Sequence, residues 1–244
     1  MASPRRLVSE IIAGLSSASY PRIVHAIDTL EKYLVSLVPS IELHSKDARL
    51  SAFLGLQDSF QYNLVAACLD AHAFFRANPT LVDPIHILAA NQCMCGLLLI
   101  HSDSRKLFAR RSNMALVLSL LDKLSPLWRP DVCVSVLSLL VHILLKSAPN
   151  LRVFEALQGL KSVSQHLYVT DDPLCDASGQ DLSLKVVEFF IFYLTDERGL
   201  EGEARSVESK AQILQPEFSG IDDLLRNLED LTILKTDQHE QTRA

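Results

Sequence analysis

A shift of 46 residues lays one part of this chain on another. It carries Phe108 onto Phe154, Leu98 onto Leu144, Leu99 onto Leu145, Met114 onto Leu160, Val117 onto Val163 and Leu121 onto Leu167. Each unit reads in the same order: a long apolar helix, a polar turn, a short helix carrying the phenylalanine, then an amphipathic helix. That period and helix content fall in the armadillo/HEAT range. One such unit cannot bury its apolar face alone, whereas stacked neighbours can. The repeat therefore predicts an all-α fold, an armadillo/HEAT-like α-α superhelix, in which the helix 182–194 opens a third, truncated unit.

Helix punctuation supports this reading. Ser3-Pro4 and Asp83-Pro84 each place a capping side chain before a proline whose missing N–H costs nothing at the first helical position. After Pro21, residues Ile23, Ile27, Leu30, Leu34 and Leu37 form one helical stripe that stops at Pro39. A short helix is expected over 47–56 and a longer one from Asp58 to Ala77. The helices 85–100 and 131–145 are apolar on nearly every side, which predicts burial on several sides. Shorter helices are expected over 102–109, 113–124, 150–157 and 160–168, and a polar loop over 170–180.

Composition changes near Thr195. Residues 196–215 are rich in Glu, Arg and Ser and read as a mobile polar connector. Beyond it Ile221, Leu224, Leu225, Leu228 and Leu231 recur at helical spacing. This stripe either folds back onto the last repeat or docks in a partner's groove. The expected organisation is a helical domain over 1–195, a connector over 196–215, and a C-terminal amphipathic helix and tail over 216–244.

The net charge of −6 lacks the basic excess of a nucleic-acid binder. Five cysteines, four of them in apolar helical stretches, read as reduced core thiols of an intracellular protein. Arg5-Arg6 precede an apolar patch that Ser9 and Glu10 interrupt, so no signal peptide is expected. The apolar runs fall short of the ~18 residues a membrane span needs, so no membrane insertion is expected and the cytoplasm or nucleus is the expected location.

Chemistry has little support. Cys93 and Cys95 lie two apart on a helix and face different ways, so they make no zinc pair. His142 sits in an apolar helix and reads as a packed core histidine. No Gly-rich phosphate loop, nucleophile elbow or HExxH occurs. The pairs Asp171-Asp172 and Asp222-Asp223 stand in polar contexts. The expectation is a protein that is not an enzyme, with no catalytic, metal or cofactor residues.

Two segments stand out. Arg105, Lys106, Arg110 and Arg111 cluster in an acidic chain; they are either a solvated face or a site for an acidic or phosphorylated segment. In Leu56–Asn63, Asp58 or Ser59 can cap a helix, and Phe60 and Asn63 fall on one face, three apart. Asn63 either ties down a turn or joins Phe60 in a partner contact.

The segment Leu56–Asn63 is followed in order by Ser102–Phe108 with Asn113-Met114, Asn150–Leu157 with Gly159-Leu160, and Leu184–Leu194. That succession resembles the fungal cell division control protein fourteen family, the septation initiation network component, which is unrelated to the phosphatase of the same name. The tail Ile221-Asp222-Asp223-Leu224-Leu225 is similar to that family's C-terminal segment. The resemblance spans most of residues 20–235. It implies an armadillo-type, non-catalytic partner of a germinal-centre-class Ser/Thr protein kinase. Such a complex acts at the spindle pole body in septum formation and cytokinesis, and other network proteins are further candidate partners. On this reading the docking surface comprises Phe60, Asn63, Arg105, Lys106, Arg110 and Arg111, with Ile221, Leu224, Leu225 and Leu228 of the terminal helix. The period alone supports the alternative of a general armadillo-type scaffold for peptide clients.

Overall fold

The computed structural model describes residues 4–42, 48–167, 177–200, 202–224 and 226. Every regular element among them is helical. Pro4 opens α1 (Pro4–Leu15). The Ile23-to-Leu37 stripe becomes the buried face of α2 (Tyr20–Glu42). That helix runs past the expected stop, because Pro39 stands one turn from its end, where a lost ladder bond is a local cost. After α3 (Ala48–Gln57) the chain does not enter one long helix at Asp58. A 3-10 turn (Phe60–Tyr62) intervenes, and Asn63, in extended backbone, caps α4 (Leu64–Ala77).

Asp83 accepts a hydrogen bond from the Ile85 N–H at 3.0 Å and starts α5 (Pro84–Ile100) as expected. The segment Ser102–Ala109 is a 3-10 helix. Then come α6 (Arg111–Leu118), α7 (Pro130–Leu144), α8 (Ala148–Ala156) and α9 (Gly159–Ser164). The next helix, α10 (Ala177–Tyr193), begins inside the expected polar loop.

The longer helices form a row. α5 packs between α2 and α7, and α10 lies against α7. Asn91 Nδ2 donates to Ser135 Oγ at 2.8 Å, tying α5 to α7 across 44 residues. The same spacing recurs outside the row: Asn150 Nδ2 donates to the Arg105 carbonyl, 45 residues back, and His166 Nε2 donates to the Leu121 carbonyl, also 45 back. These bonds tie segments 44 and 45 residues apart to one another. Phe108 and Phe154 are both fully buried. As expected, α5 is buried on several sides, by α2, α4 and α7, and it leaves one narrow exposed stripe on which Ile85 is 60% and Leu99 59% exposed.

Residues 196–215 are not the mobile polar connector that their composition suggested. They include α11 (Val207–Leu214), and Glu197 and Lys210 are each only 1% exposed. Lys210 Nζ donates to the carbonyls of Tyr193 and Thr195, each at 2.6 Å, and pairs with Glu197. Glu197 also meets Arg152 at 2.7 Å, and Arg152 meets Glu155 at 3.0 Å. Two of the segment's charges, Glu197 and Lys210, are thus paired inside the fold, while Asp196, Arg198, Glu203 and Glu208 remain exposed. Past α11, Ile221 is buried in the core and Leu224 packs against it. Leu225, Leu228 and Leu231 lie outside the described residues.

Candidate partner-binding site

The end of α3 and the start of α4 are locked together by two side chains. Gln57 Oε1 accepts from the Leu64 N–H at 2.9 Å, and Asn63 Nδ2 donates to the Gln57 carbonyl at 2.8 Å. Asn63 Oδ1 accepts from the Ala66 N–H, the N-cap bond of α4. Its Nδ2 also donates to Ser104 Oγ at 2.8 Å, across on the 3-10 helix 102–109. Closing the loop at its base pushes the turn between outward, leaving Phe60 71% exposed.

Between this turn and the 3-10 helix lies a cleft of about 430 Å³, whose lining includes Gln57, Phe60, Asn63, Lys106, Leu107 and Arg110. Past Phe60 and Arg110 it continues as a second cleft of about 360 Å³ that reaches Ser16 and Asp70. Lys106 pairs with Asp103 at 2.6 Å. Arg110 is exposed and has no carboxylate partner among the described residues. Gln57 is 2% exposed, and its Nε2 has no hydrogen-bond partner there.

Under the cleft runs a polar chain. His101 Nε2 donates to the Asp58 carboxylate at 3.0 Å, and its Nδ1 is hydrogen-bonded with the Ser104 hydroxyl at 2.8 Å. That hydroxyl oxygen in turn accepts from Asn63. The Asp–His–Ser order resembles a hydrolase relay, but its exposure is reversed. The Asp58 carboxylate is 69% exposed, while Ser104 is 2% exposed and holds Asn63 in place. A nucleophile must reach substrate and its orienting carboxylate is normally the buried member, so this chain braces the cleft floor. Asp58, His101 and Asp103 also offer three possible metal-ligand atoms within 4.8 Å of one another. Each already has a protein partner, in His101, Asp58 and Lys106 respectively.

The four cysteines among the described residues are unsuited to nucleophilic work. Burial pushes the Cys93, Cys95 and Cys133 thiols up to about 12 and raises Cys68 well above its ordinary value, so the thiolate form is suppressed. His142 is half-buried and donates from Nδ1 to the Ser138 carbonyl at 2.7 Å.

Residues 36–202 match the family described as cell division control protein 14, SIN component. The chain belongs to this family. It is also 27% identical over 182 residues to the cell division control protein 14 of Schizosaccharomyces pombe, covering 66% of this chain and 68% of that protein. No solved structure matches. Membership makes the protein a septation initiation network component of cell division. The match contains the whole first cleft and Glu197 but stops short of Lys210 and the terminal stripe.

Within this cell division control protein 14 chain the expected docking residues separate. Phe60, Asn63, Lys106 and Arg110 come together at the cleft. Asn63 is buried at 8% exposure, and Arg111 is exposed next to Arg110 but outside the cleft lining. Arg105 does not belong to a docking surface. Its Nε donates to the His142 carbonyl at 2.9 Å and its Nη2 to the Leu98 carbonyl at 3.0 Å, so it fastens the C-terminal ends of α7 and α5. Ile221 is 2% exposed and is core rather than contact surface, and Leu224 packs against that core. Gln57, His101 and Leu107 were missed. Nothing in the local pattern marks them, because their roles depend on residues distant in sequence.

Proposed function

We propose that this protein is a non-catalytic, armadillo-type regulatory subunit of a germinal-centre-class Ser/Thr protein kinase in the septation initiation network. It acts in the cytoplasm and at the spindle pole body and promotes septum formation and cytokinesis. Docking is the mechanism: the protein holds the kinase's non-catalytic region and sets its activity or place.

One observation carries this reading. An exposed aromatic, Phe60, stands beside Arg110, a cation with no carboxylate partner among the described residues, over a cleft whose floor is fixed by buried hydrogen bonds. Aromatic and arginine side chains on a rigid base are what protein interfaces use as anchors. The inward-facing Ser104 and the suppressed thiolates support a non-catalytic role. The test is native affinity purification from dividing cells, with co-purifying proteins identified by mass spectrometry. One kinase of this class at near-equal amount is expected; a broad mixture of clients without it would defeat the reading.

A second reading, a general armadillo-type scaffold for several peptide clients, is favoured by the hydrogen bonds that recur at 44 and 45 residues. They support a repeat architecture without pointing to any one client. It expects unrelated clients in that purification.

A further inference from the structure

The chemistry of the cleft says more than that a protein docks there. Its lining combines the carboxylates of Asp58 and Asp103 with donors and apolar surface. Gln57 is part of that lining, and its amide Nε2 has no acceptor among the described residues, although the residue is 2% exposed and its Oε1 is engaged by the Leu64 N–H. A buried donor without an acceptor is costly, and a ligand oxygen would remove that cost. Arg110 lines both halves of the groove without a carboxylate partner among the described residues. Phe60, 71% exposed, and half-buried Leu107 line both halves with it.

Charge decides which ligand fits. Asp58 and Asp103 stand in the first cleft and Asp70, which accepts from the Ser16 hydroxyl, at the far end of the second; Lys106 is already engaged with Asp103. That leaves Arg110 as the cation facing the groove. It balances one carboxylate, whereas a dianionic phosphate would also meet Asp58 and Asp103. We infer that the groove holds an extended peptide segment of a protein partner in which an acidic residue is flanked by a bulky apolar one. The carboxylate lies on Arg110, a backbone carbonyl takes the Gln57 amide, and the apolar side chain covers Phe60 and Leu107. This deepens the docking reading above and rests on it.

The test uses the full chain and a phage-displayed peptide library. Panning is expected to enrich Asp or Glu beside an apolar residue. A synthetic peptide of the consensus is expected to bind about tenfold or more weakly to Arg110→Glu. Gln57→Glu keeps the acceptor for Leu64 and replaces the free donor by a second acceptor; it is expected to weaken the same peptide. Arg110 is exposed, so its variant stays folded and keeps the test decisive if Gln57→Glu does not fold. A neutral or basic consensus, equal binding by wild type and Arg110→Glu, or binding that requires a phosphorylated peptide would each overturn the inference. Kinase co-purification undiminished in Arg110→Glu would also overturn it while leaving the kinase reading standing. Loss of the acidic peptide in Arg110→Glu, in a protein that retrieves no kinase, would uphold the groove chemistry and defeat the kinase reading.

Discussion

Lys210 Nζ lies 2.9 Å from the carboxylate of Glu197, and both side chains are 1% exposed. This pair, with Arg152 on its other side, holds α11 and the segment before it to the domain. Removing one partner of a buried pair leaves the other charge without compensation, at about 3–5 kcal/mol. Lys210→Ala is therefore expected to lower the unfolding free energy measured in urea by that much, with a lower midpoint, and to open residues 196–215 to limited proteolysis. An unchanged midpoint would mean that the segment contributes nothing to the fold.

A Cβ on Gly159 would run into the ring of Phe154, which is fully buried. Phe154→Ala is expected to cost about 3–5 kcal/mol by leaving a cavity. Gly159→Ala should cost about 1–3 kcal/mol by overpacking. The two must be non-additive, since shrinking the ring makes room for the methyl group. A double-mutant cycle by chemical denaturation checks this; a sum of the single effects would contradict the contact.

How much of this was legible beforehand follows from where each determinant lies. Pro84 starts α5 because a proline acts on its own backbone, so sequence suffices. The break at Asn63 was not legible. Asp58 and Ser59 are equally good local caps, and Asn63 is selected by Ser104, 41 residues away. The segment 196–215 was misread because composition counts charges without showing that Glu197 and Lys210 meet inside the fold. Of the basic run, Arg110 was recognisable as surface, but Arg105 was not recognisable as a clamp on two helix ends. Phe60 was legible as an oddity and became a site only when the 3-10 helix 102–109 closed the other wall.

His166 sets an acid limit on stability. It is fully buried, its ring stacks against Trp128, and burial lowers its pKa to about 4. The unfolded chain takes up the proton near pH 6.5 and the folded one near 4, so stability falls as pH drops through that window and levels off below it. From pH 7 to pH 5 the loss is about 2 kcal/mol for this group. Urea unfolding of wild type and His166→Gln at the two pH values tests the sign. The variant should lose less than wild type, and identical losses would show that His166 is not the group responsible.

Arg105 and Arg110 sit five positions apart in one basic run, yet their substitutions should separate cleanly. Arg105→Leu forfeits the hydrogen bonds to the Leu98 and His142 carbonyls and is expected to cost about 2–3 kcal/mol. The Arg110 side chain is exposed and has no hydrogen-bonded or charged partner among the described residues, so Arg110→Glu should change stability by no more than about 0.5 kcal/mol. Partner binding should show the opposite order once both proteins are compared well below their melting temperatures, with Arg110→Glu the weaker binder. Thermal melts and a pull-down from dividing cells with the same two samples decide it. A stable Arg105→Leu that has lost its partner would return Arg105 to the docking surface and remove its role as a helix clamp.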